Sequence, residues 1–338
     1  ASAEHLISSR VEVLAPRDMR AIVQKQLGGP EVLEVAETAD PEPGPGRVRI
    51  AVAAAGVHVL DTALRRGDPP FPPPELPYVP GREVAGTVDA AGPDVDPSWI
   101  GRSVVAHLGA GGSGGYASLA VAAAESLHPL PDGLTPAAAV TMIGTGRTAQ
   151  LLLDGAALTD DDVVLVTAAA GGLGTLLVQA ARHAGARVVG LAGGPAKTER
   201  VAALGAQTVD YRAPGWQDRL RTVAEGATVA FDGVGGEVGR AVLTALRPGG
   251  RALVYGFSSG DEDWFTESRA LRSDITFPPG LDKRPTGAAL RDLETRALAA
   301  AADGTLVPEV TTFPLAEAAA AHRALESRAT VGKVVLVP

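Results

Sequence analysis

Two short stretches carry residue types and spacings that could do chemistry. The first is "VTAAAGGLGTLLVQAARHAG", 166–185, in which Ala168, Gly171 and Gly174 hold the spacing A-x-x-G-x-x-G and Gly172 adds a further glycine. Small residues so spaced allow a tight turn, a close approach of backbone to a pyrophosphate, and close packing of the following helix on its strand. The helix that opens there aims its free N–H groups and the positive end of its dipole at bound phosphate. The second is "GVHVLDTALRRG", 56–67, where His58, Asp61 and Arg65 fall within one short polar segment. An imidazole there can donate a hydrogen bond or a proton near neutral pH, or simply line a pocket wall. Asp61 either orients a neighbour or caps the helical pattern that follows it.

The glycine turn gains weight from the elements around it. "DDVVLVTAA" reads as an apolar strand and "LGTLLVQAARHAG" as an amphipathic helix. "ARVVGLAG", "TVDY", "TVAFDGVG" and "RALVYGFSSG" follow as strands, alternating with helices "AKTERVAALGA", "WQDRLRTVAEG" and "GEVGRAVLTALRPGG". Apolar strands alternating with helices imply a parallel, doubly wound α/β sheet covered on both faces. Such a sheet binds a dinucleotide at the carboxyl ends of its strands. The strand after the turn ends in Leu191, Ala192, Gly193 and Gly194, with no acid to bind a ribose 2′-hydroxyl, and Lys197, Tyr211 and Arg212 lie nearby. A carboxylate would repel a 2′-phosphate, whereas a lysine and a phenol can bind one, so NADPH is expected rather than NADH.

From Met19 to about Gly144 the chain reads instead as short strands, "RAIVQKQ", "VLEVAE", "RVRIAVAAAGV", "EVAGTVDAAG" and "SVVAHLG", separated by Gly/Pro turns. The proline-dense "GDPPFPPPELPYVPG" must be a loop over the surface or over a site. After about Gly280 an Ala-rich helix, "LVPEVTTFPL", a second helix and the strand "GKVVLVP" are too few to form a domain, and are expected to return to the β-rich part. The expected division is 1–18 as a leader, expression remnant or upstream start, 19–144 with 281–338 as one domain, and 145–280 as the nucleotide-binding domain.

Composition narrows the partners. The 338 residues carry a formal charge of −9 and no cysteine. An acidic chain is a poor partner for nucleic acid or an anionic membrane, and no apolar run reaches the length of a bilayer span. Without cysteine there is no disulfide, no thiolate catalysis and no cysteine-built zinc site. The remaining histidines, His5, His107, His128, His183 and His322, show no metal-ligand spacing. A cytoplasmic protein is the default expectation.

Taken together, "AAAGGLG", "GVHVLDTALRRG", "PGREVAGTV", "LPDGLTPAAAV", "DGVGG", "GFSSG" and "AHRALESRATVGKVVL" resemble the zinc-free medium-chain reductases of the quinone oxidoreductase (ζ-crystallin-like) family, from Met19 to Pro338. The resemblance implies a Rossmann domain plus a β-rich GroES-like catalytic domain, and a homodimer. It places Gly171, Gly172, Leu173 and Gly174 at the pyrophosphate, and Gly190, Lys197, Tyr211 and Arg328 around the adenosine ribose and its phosphate. Thr148, Gly256, Phe257 and Ser258 would lie along the nicotinamide half, with His58, Asp61 and Arg65 as candidate catalytic residues. Zinc-dependent relatives use cysteine and the histidine of a G-H-E signature, and Arg82 stands at that histidine. A guanidinium cannot ligate a metal, so no metal is expected. Two positions depart from the family pattern: His58 replaces an asparagine and Ala63 a tyrosine. The implied activity is hydride transfer from NADPH to a quinone or an α,β-unsaturated carbonyl. Reduction of an enoyl thioester in fatty-acid or polyketide assembly, and a cofactor-binding structural or redox-sensing protein with little turnover, are the alternatives.

Overall fold

The computed structural model describes residues 18–68, 72–109, 113–261, 263–279 and 285–338. The expected leader lies outside these residues apart from Asp18, as do 69–71 of the proline-dense segment and 281–284.

The β-rich part opens with an antiparallel pair, β1 (Asp18–Gln24) and β2 (Leu33–Ala39). β3 (Arg47–Val57) runs directly into helix α1 (Val59–Arg66), and β4 (Glu83–Ala91), β5 (Ser103–His107), β6 (Leu119–Ala123) and β7 (Leu127–Pro129) follow. Helix α2 (Pro136–Thr141) passes through one π-helical turn, Met142–Gly146, into α3 (Arg147–Ala156).

The alternating segment then forms as its pattern demands. Its strands are β8 (Val163–Val166), β9 (Arg187–Ala192), β10 (Gln207–Asp210), β11 (Val229–Asp232) and β12 (Arg251–Val254). Helices α4 (Gly172–His183), α5 (Pro195–Ala203), α6 (Trp216–Val223) and α7 (Gly236–Ala245) connect them. The five strands are parallel in the order β10-β9-β8-β11-β12, with Thr276 bridging Arg251 in parallel beyond β12. The order reverses between β8 and β11, which opens the ligand crevice of a doubly wound sheet at their carboxyl ends. Helix α8 (Trp264–Leu271) was not legible in the sequence; it is anchored by Trp264, whose indole donates to buried Asp232 at 2.7 Å.

The chain closes with α9 (Gly287–Ala302), β13 (Val310–Pro314), α10 (Ala318–Glu326) and β14 (Lys333–Val337). The last two strands do return to the β-rich part, giving a seven-stranded sheet ordered β13-β14-β3-β4-β5-β7 with β6 on β3. Helix α9 packs elsewhere. Its buried Ala297 and Leu298 join α3 and the π-helical turn in a core that also takes in Ala54 and Ala85 of the sheet and Leu176 of α4. One continuous apolar core therefore holds the two sheets against each other.

The close packing of α4 on β8 depends on Gly174. A side chain there would overlap the Ala168 carbonyl and come within 2.7 Å of Ala169 Cα, whereas at Gly171 the nearest atom would be 3.2 Å away. Gly174→Ala is expected to destabilise the protein by about 1–3 kcal/mol through overpacking, and Gly171→Ala by clearly less. Chemical denaturation of the two variants checks the order.

Candidate active site

The turn after β8 has the form expected for phosphate. Ala168 takes the left-handed conformation, φ +47°, at the fingerprint's first small position. Among the described residues, the N–H groups of Leu173 and Gly174 find no protein acceptor at the amino end of α4, while Gly171 and Gly172 bridge to Gly332. Such unpaired amides are a ready anion site. The catalytic-side sheet reaches this turn directly: Gly332, just before β14, donates to the Ala170 carbonyl at 2.8 Å, and Lys333 lies against Gly172 where a side chain would be 3.2 Å from its Cα.

At the end of β9, three cations gather. Lys197 Nζ donates to the Arg328 carbonyl at 2.8 Å, and the Arg328 guanidinium donates to the Ser258 carbonyl at 2.5 Å. Tyr211 and Arg212 flank Gly193, whose absent side chain would lie 2.9 Å from the phenol oxygen and from Arg212 Nε. Partial burial, then repulsion from Arg212 and Arg328, pulls the Lys197 ammonium below its ordinary pKa. None of the three has a carboxylate within ion-pair distance among the described residues. Unneutralised, converging cations at this place fit a phosphate on the ribose. Arg328, like Ala168, is held at positive φ, +56°. Gly190 has a packing role in addition, since Val201 of α5 fills the space a side chain would need. Thr148 donates to the Gly144 carbonyl at 2.9 Å, and Gly256 lies against Gly233 at the foot of the loop that carries Phe257 and Ser258.

Strand register builds the second half of the site. β14 pairs with β3 so that Val334 faces Val57, and β3 pairs with β4 so that Ala55 faces Val84. One step further along, Lys333, His58 and Glu83 meet at the sheet's end. His58 Nε2 lies 2.9 Å from Lys333 Nζ and 2.6 Å from Glu83 Oε2, and Lys333 Nζ is 3.3 Å from the same oxygen. Glu83 is completely buried and Lys333 nearly so, while the His58 ring is 24 % exposed. Gly56 is required here because a side chain would strike the Glu83 carboxylate. Burial alone would raise the Glu83 pKa, but His58 and Lys333 reverse this and hold the carboxyl far below its usual range. Burial also depresses the Lys333 ammonium, against the pull of Glu83. Neither Glu83 nor Lys333 stood out in the sequence. Their only signal is a charge at the head of an otherwise apolar strand, in "GREVAG" and "GKVVLV".

Asp61 does not precede the helix as expected but lies within α1, at its third position, with His58 as the N-cap. Its Oδ2 accepts from the His58 N–H at 2.8 Å, capping α1 and fixing the segment that carries the imidazole. It also accepts from Arg82 Nε at 3.3 Å and from the Tyr116 hydroxyl at 3.0 Å. Behind it, Arg65 NH1 must donate to His322 Nδ1 at 3.0 Å, because a guanidinium has no acceptor. His322 Nε2 therefore carries the proton and donates to the Tyr116 oxygen at 3.2 Å. Arg65 is buried, bonded to Glu326 at 2.5 Å and to the Gly28 carbonyl at 3.1 Å, and so braces Asp61 from within the fold. His183 is exposed and His128 is paired with Glu294 at 3.0 Å.

The zinc chemistry of the wider fold does not fit these donors. Arg82 occupies the histidine position with its guanidinium on Asp61, the chain has no thiolate, and the described residues contain no cluster of three metal-binding side chains.

Burial lowers the His322 pKa to about 4, with nearby Arg65 and Arg66 adding to the effect and Asp61 and Glu326 opposing it. The folded protein thus keeps this ring neutral where the unfolded chain takes up a proton, so stability is full above about pH 6.5 and falls as the pH drops toward 4. The loss from this one group is up to about 3 kcal/mol. His322→Gln, which can still accept from Arg65 and donate to Tyr116, should show a shallower decline in urea midpoint between pH 6.5 and 4.5; an unchanged slope would refute the assignment.

Comparison with known proteins matches this architecture. The family described as Alcohol dehydrogenase GroES-like domain matches residues 44–132, and the one described as Zinc-binding dehydrogenase matches 172–278. The chain is 34% identical to a 2-haloacrylate reductase of a Burkholderia species over 332 residues, covering 95% of this chain and 99% of the relative. It is 32% identical to a quinone oxidoreductase of Pseudomonas aeruginosa over 323 residues, 92% and 97% of the two chains. The crystal structure of Escherichia coli quinone oxidoreductase complexed with NADPH superimposes with a TM-score of 0.83 at 29% identity, covering 94% of this chain and 100% of that one. With its fingerprint turn, its GroES-like sheet and an arginine in place of the metal-binding histidine, the chain belongs to the zinc-free quinone oxidoreductase family of medium-chain dehydrogenases/reductases.

Proposed function

We propose that this chain is an NADPH-dependent reductase that delivers a hydride, without a metal, to a quinone or to a double bond conjugated with a carbonyl or carboxyl group. The observation that carries the reading is the position of Lys333. Its backbone packs on Gly172 of the phosphate turn while its Nζ touches His58, so the residues suited to the cofactor and the one suited to an acceptor are parts of one contact network. The names of the relatives, quinone oxidoreductase and 2-haloacrylate reductase, support the two acceptor types.

Gly171, Gly172, Leu173 and Gly174 would hold the pyrophosphate, and Lys197, Tyr211, Arg212 and Arg328 the 2′-phosphate. Thr148, Gly256, Phe257 and Ser258 would line the nicotinamide half. When bound, NADPH supplies the hydride. The protein's part is to orient the acceptor, exclude water and manage the proton. His58 donates a hydrogen bond to the acceptor's carbonyl oxygen, which draws electron density away from the carbon that receives hydride. Asp61 holds the His58 backbone in place, and Ala63 leaves the imidazole as the proton-bearing side chain of this segment. Electron-poor acceptors of this kind need no Lewis acid.

Two outcomes follow. In a thermal-shift titration NADPH should stabilise the protein more than NADH does. Lys197→Ala with Arg212→Ala should weaken NADPH by about tenfold or more, from the loss of charge-assisted contacts, while leaving NADH unchanged; equal binding of both cofactors would remove the basis for the phosphate site. In an anaerobic assay, NADPH should be consumed with benzoquinone and with cyclohexenone, and His58→Ala should lower kcat by about 100-fold with little change in KM. Turnover confined to crotonyl thioesters would shift the reading to thioester reduction, and binding without turnover to a cofactor-binding protein.

A further inference from the structure

The molecule treats its cations in two ways. At the end of β9, Lys197, Arg212 and Arg328 stand together with no carboxylate within ion-pair distance among the described residues. At the opposite end of the site, every described cation is already matched. Lys333 holds Glu83 at 3.3 Å, Arg82 holds Asp61 at 3.3 Å, and Arg147 holds Glu294 at 2.6 Å. Arg65, behind them, is matched by Glu326. Arg147 belongs to this group because the π-helical turn before it lies on Glu83: a side chain at Gly144 would overlap that carboxylate. Glu83, Asp61 and Glu294 are all buried, so each pair is built into the fold.

The other titratable groups there carry no charge. His58 Nδ1 accepts from the Asp61 N–H, so its ring holds one proton and is neutral. His107 faces Glu83 across the β4–β5 ladder. Leu108 donates to the Arg82 carbonyl at 2.7 Å, which makes Glu83 and His107 a non-hydrogen-bonded pair, the kind whose side chains come closest. His107 Nδ1 accepts from the Gly109 N–H at 3.1 Å, and burial, then Arg147, pushes its pKa down to about 4. The Tyr78 and Tyr116 phenols are raised by burial and by Asp61, and stay protonated.

We propose that this site takes uncharged acceptors and refuses those that carry a free carboxylate. The inference rests on the reading that His58 faces the acceptor, and it narrows that reading. Where the acceptor's double bond is conjugated with a carboxyl group, that group must be an ester or an amide. An entering carboxylate would exchange its water for a wall with no cation to spare. It would also meet the fields of Asp61 and Glu83, each of which is spent on its own partner. A ketone, quinone or ester oxygen needs a hydrogen bond alone.

The test compares NADPH oxidation with methyl 2-chloroacrylate and with the 2-chloroacrylate anion near neutral pH. Wild type is expected to show a kcat/KM at least about 100-fold higher for the ester; comparable values overturn the proposal. Asp61→Asn keeps the side chain's shape and its acceptor for the His58 N–H, but leaves Arg82 without its counter-charge. The ester-to-anion ratio should then fall by about tenfold, and because it is taken within one variant, a general loss of activity cancels. An unchanged ratio would mean that the acceptors' own reactivity makes the difference, and would overturn the proposal. Should Asp61→Asn not fold, Glu294→Gln releases Arg147 instead and is read in the same way. If wild type reduces benzoquinone and cyclohexenone but uses the anion as well as the ester, this inference alone fails. If it reduces no acceptor, the proposed function fails, and binding decides the inference. Benzamide should then raise the melting temperature of the NADP⁺-loaded protein more than benzoate does, and any other order overturns it.

Discussion

A carboxylate sealed from water stays ionised only if a cation and hydrogen-bond donors are held against it. Glu83 is such a group, and its two partners come from opposite ends of the chain: His58 from the end of β3 and Lys333 from the start of β14. Meeting that requirement forces β14 to lie beside β3 in one register, and it brings Gly332 and Lys333 onto the phosphate turn. The buried charge thus ties three things together: the closure of the catalytic sheet by the last strand, the seating of that sheet on the doubly wound domain, and the placement of the imidazole.

The same economy explains how the site manages without a metal. In the position of a ligating histidine, Arg82 turns its guanidinium to Asp61, and Asp61 is completed by Tyr116 and by the directional series from Arg65 through His322. Every donor in that series is fixed in sense by the arginine at its head, so Asp61 presents its charge in one orientation and pins the first turn of α1. Arg82 thereby helps to brace the segment that carries His58.

Much of this was legible in the sequence, and the reason lies in local physics. The glycine spacing at 168–174 and the alternation of apolar strands with helices are set by neighbours within a few residues, so pattern alone finds them, whereas α1 begins two residues ahead of Asp61 and takes His58 as its N-cap. The missing acid after Leu191 was legible for the same reason. Glu83, Lys333, Tyr116 and His322 were not, because each acquires its role only from partners far off in the chain, such as Lys333 and His58, which meet through strand register. Helix α8 and the π-helical turn escaped as well: α8 is anchored by one long-range bond from Trp264 to Asp232, and the turn is shaped by contact with α9 and β5. The destination of α9 depended on small residues, Ala297 among them, whose burial follows from packing and not from their own period.

The central claim is that one contact network, centred on Lys333, runs from the phosphate turn to the imidazole that meets the acceptor. A crystal structure of the protein with NADP⁺ and an unreactive acceptor analogue tests it most directly. The account predicts the 2′-phosphate among Lys197, Arg212 and Arg328, and the analogue's carbonyl oxygen against the exposed edge of the His58 ring, at about 3–3.5 Å. An analogue bound away from His58, or a 2′-phosphate placed outside those three cations, would contradict it.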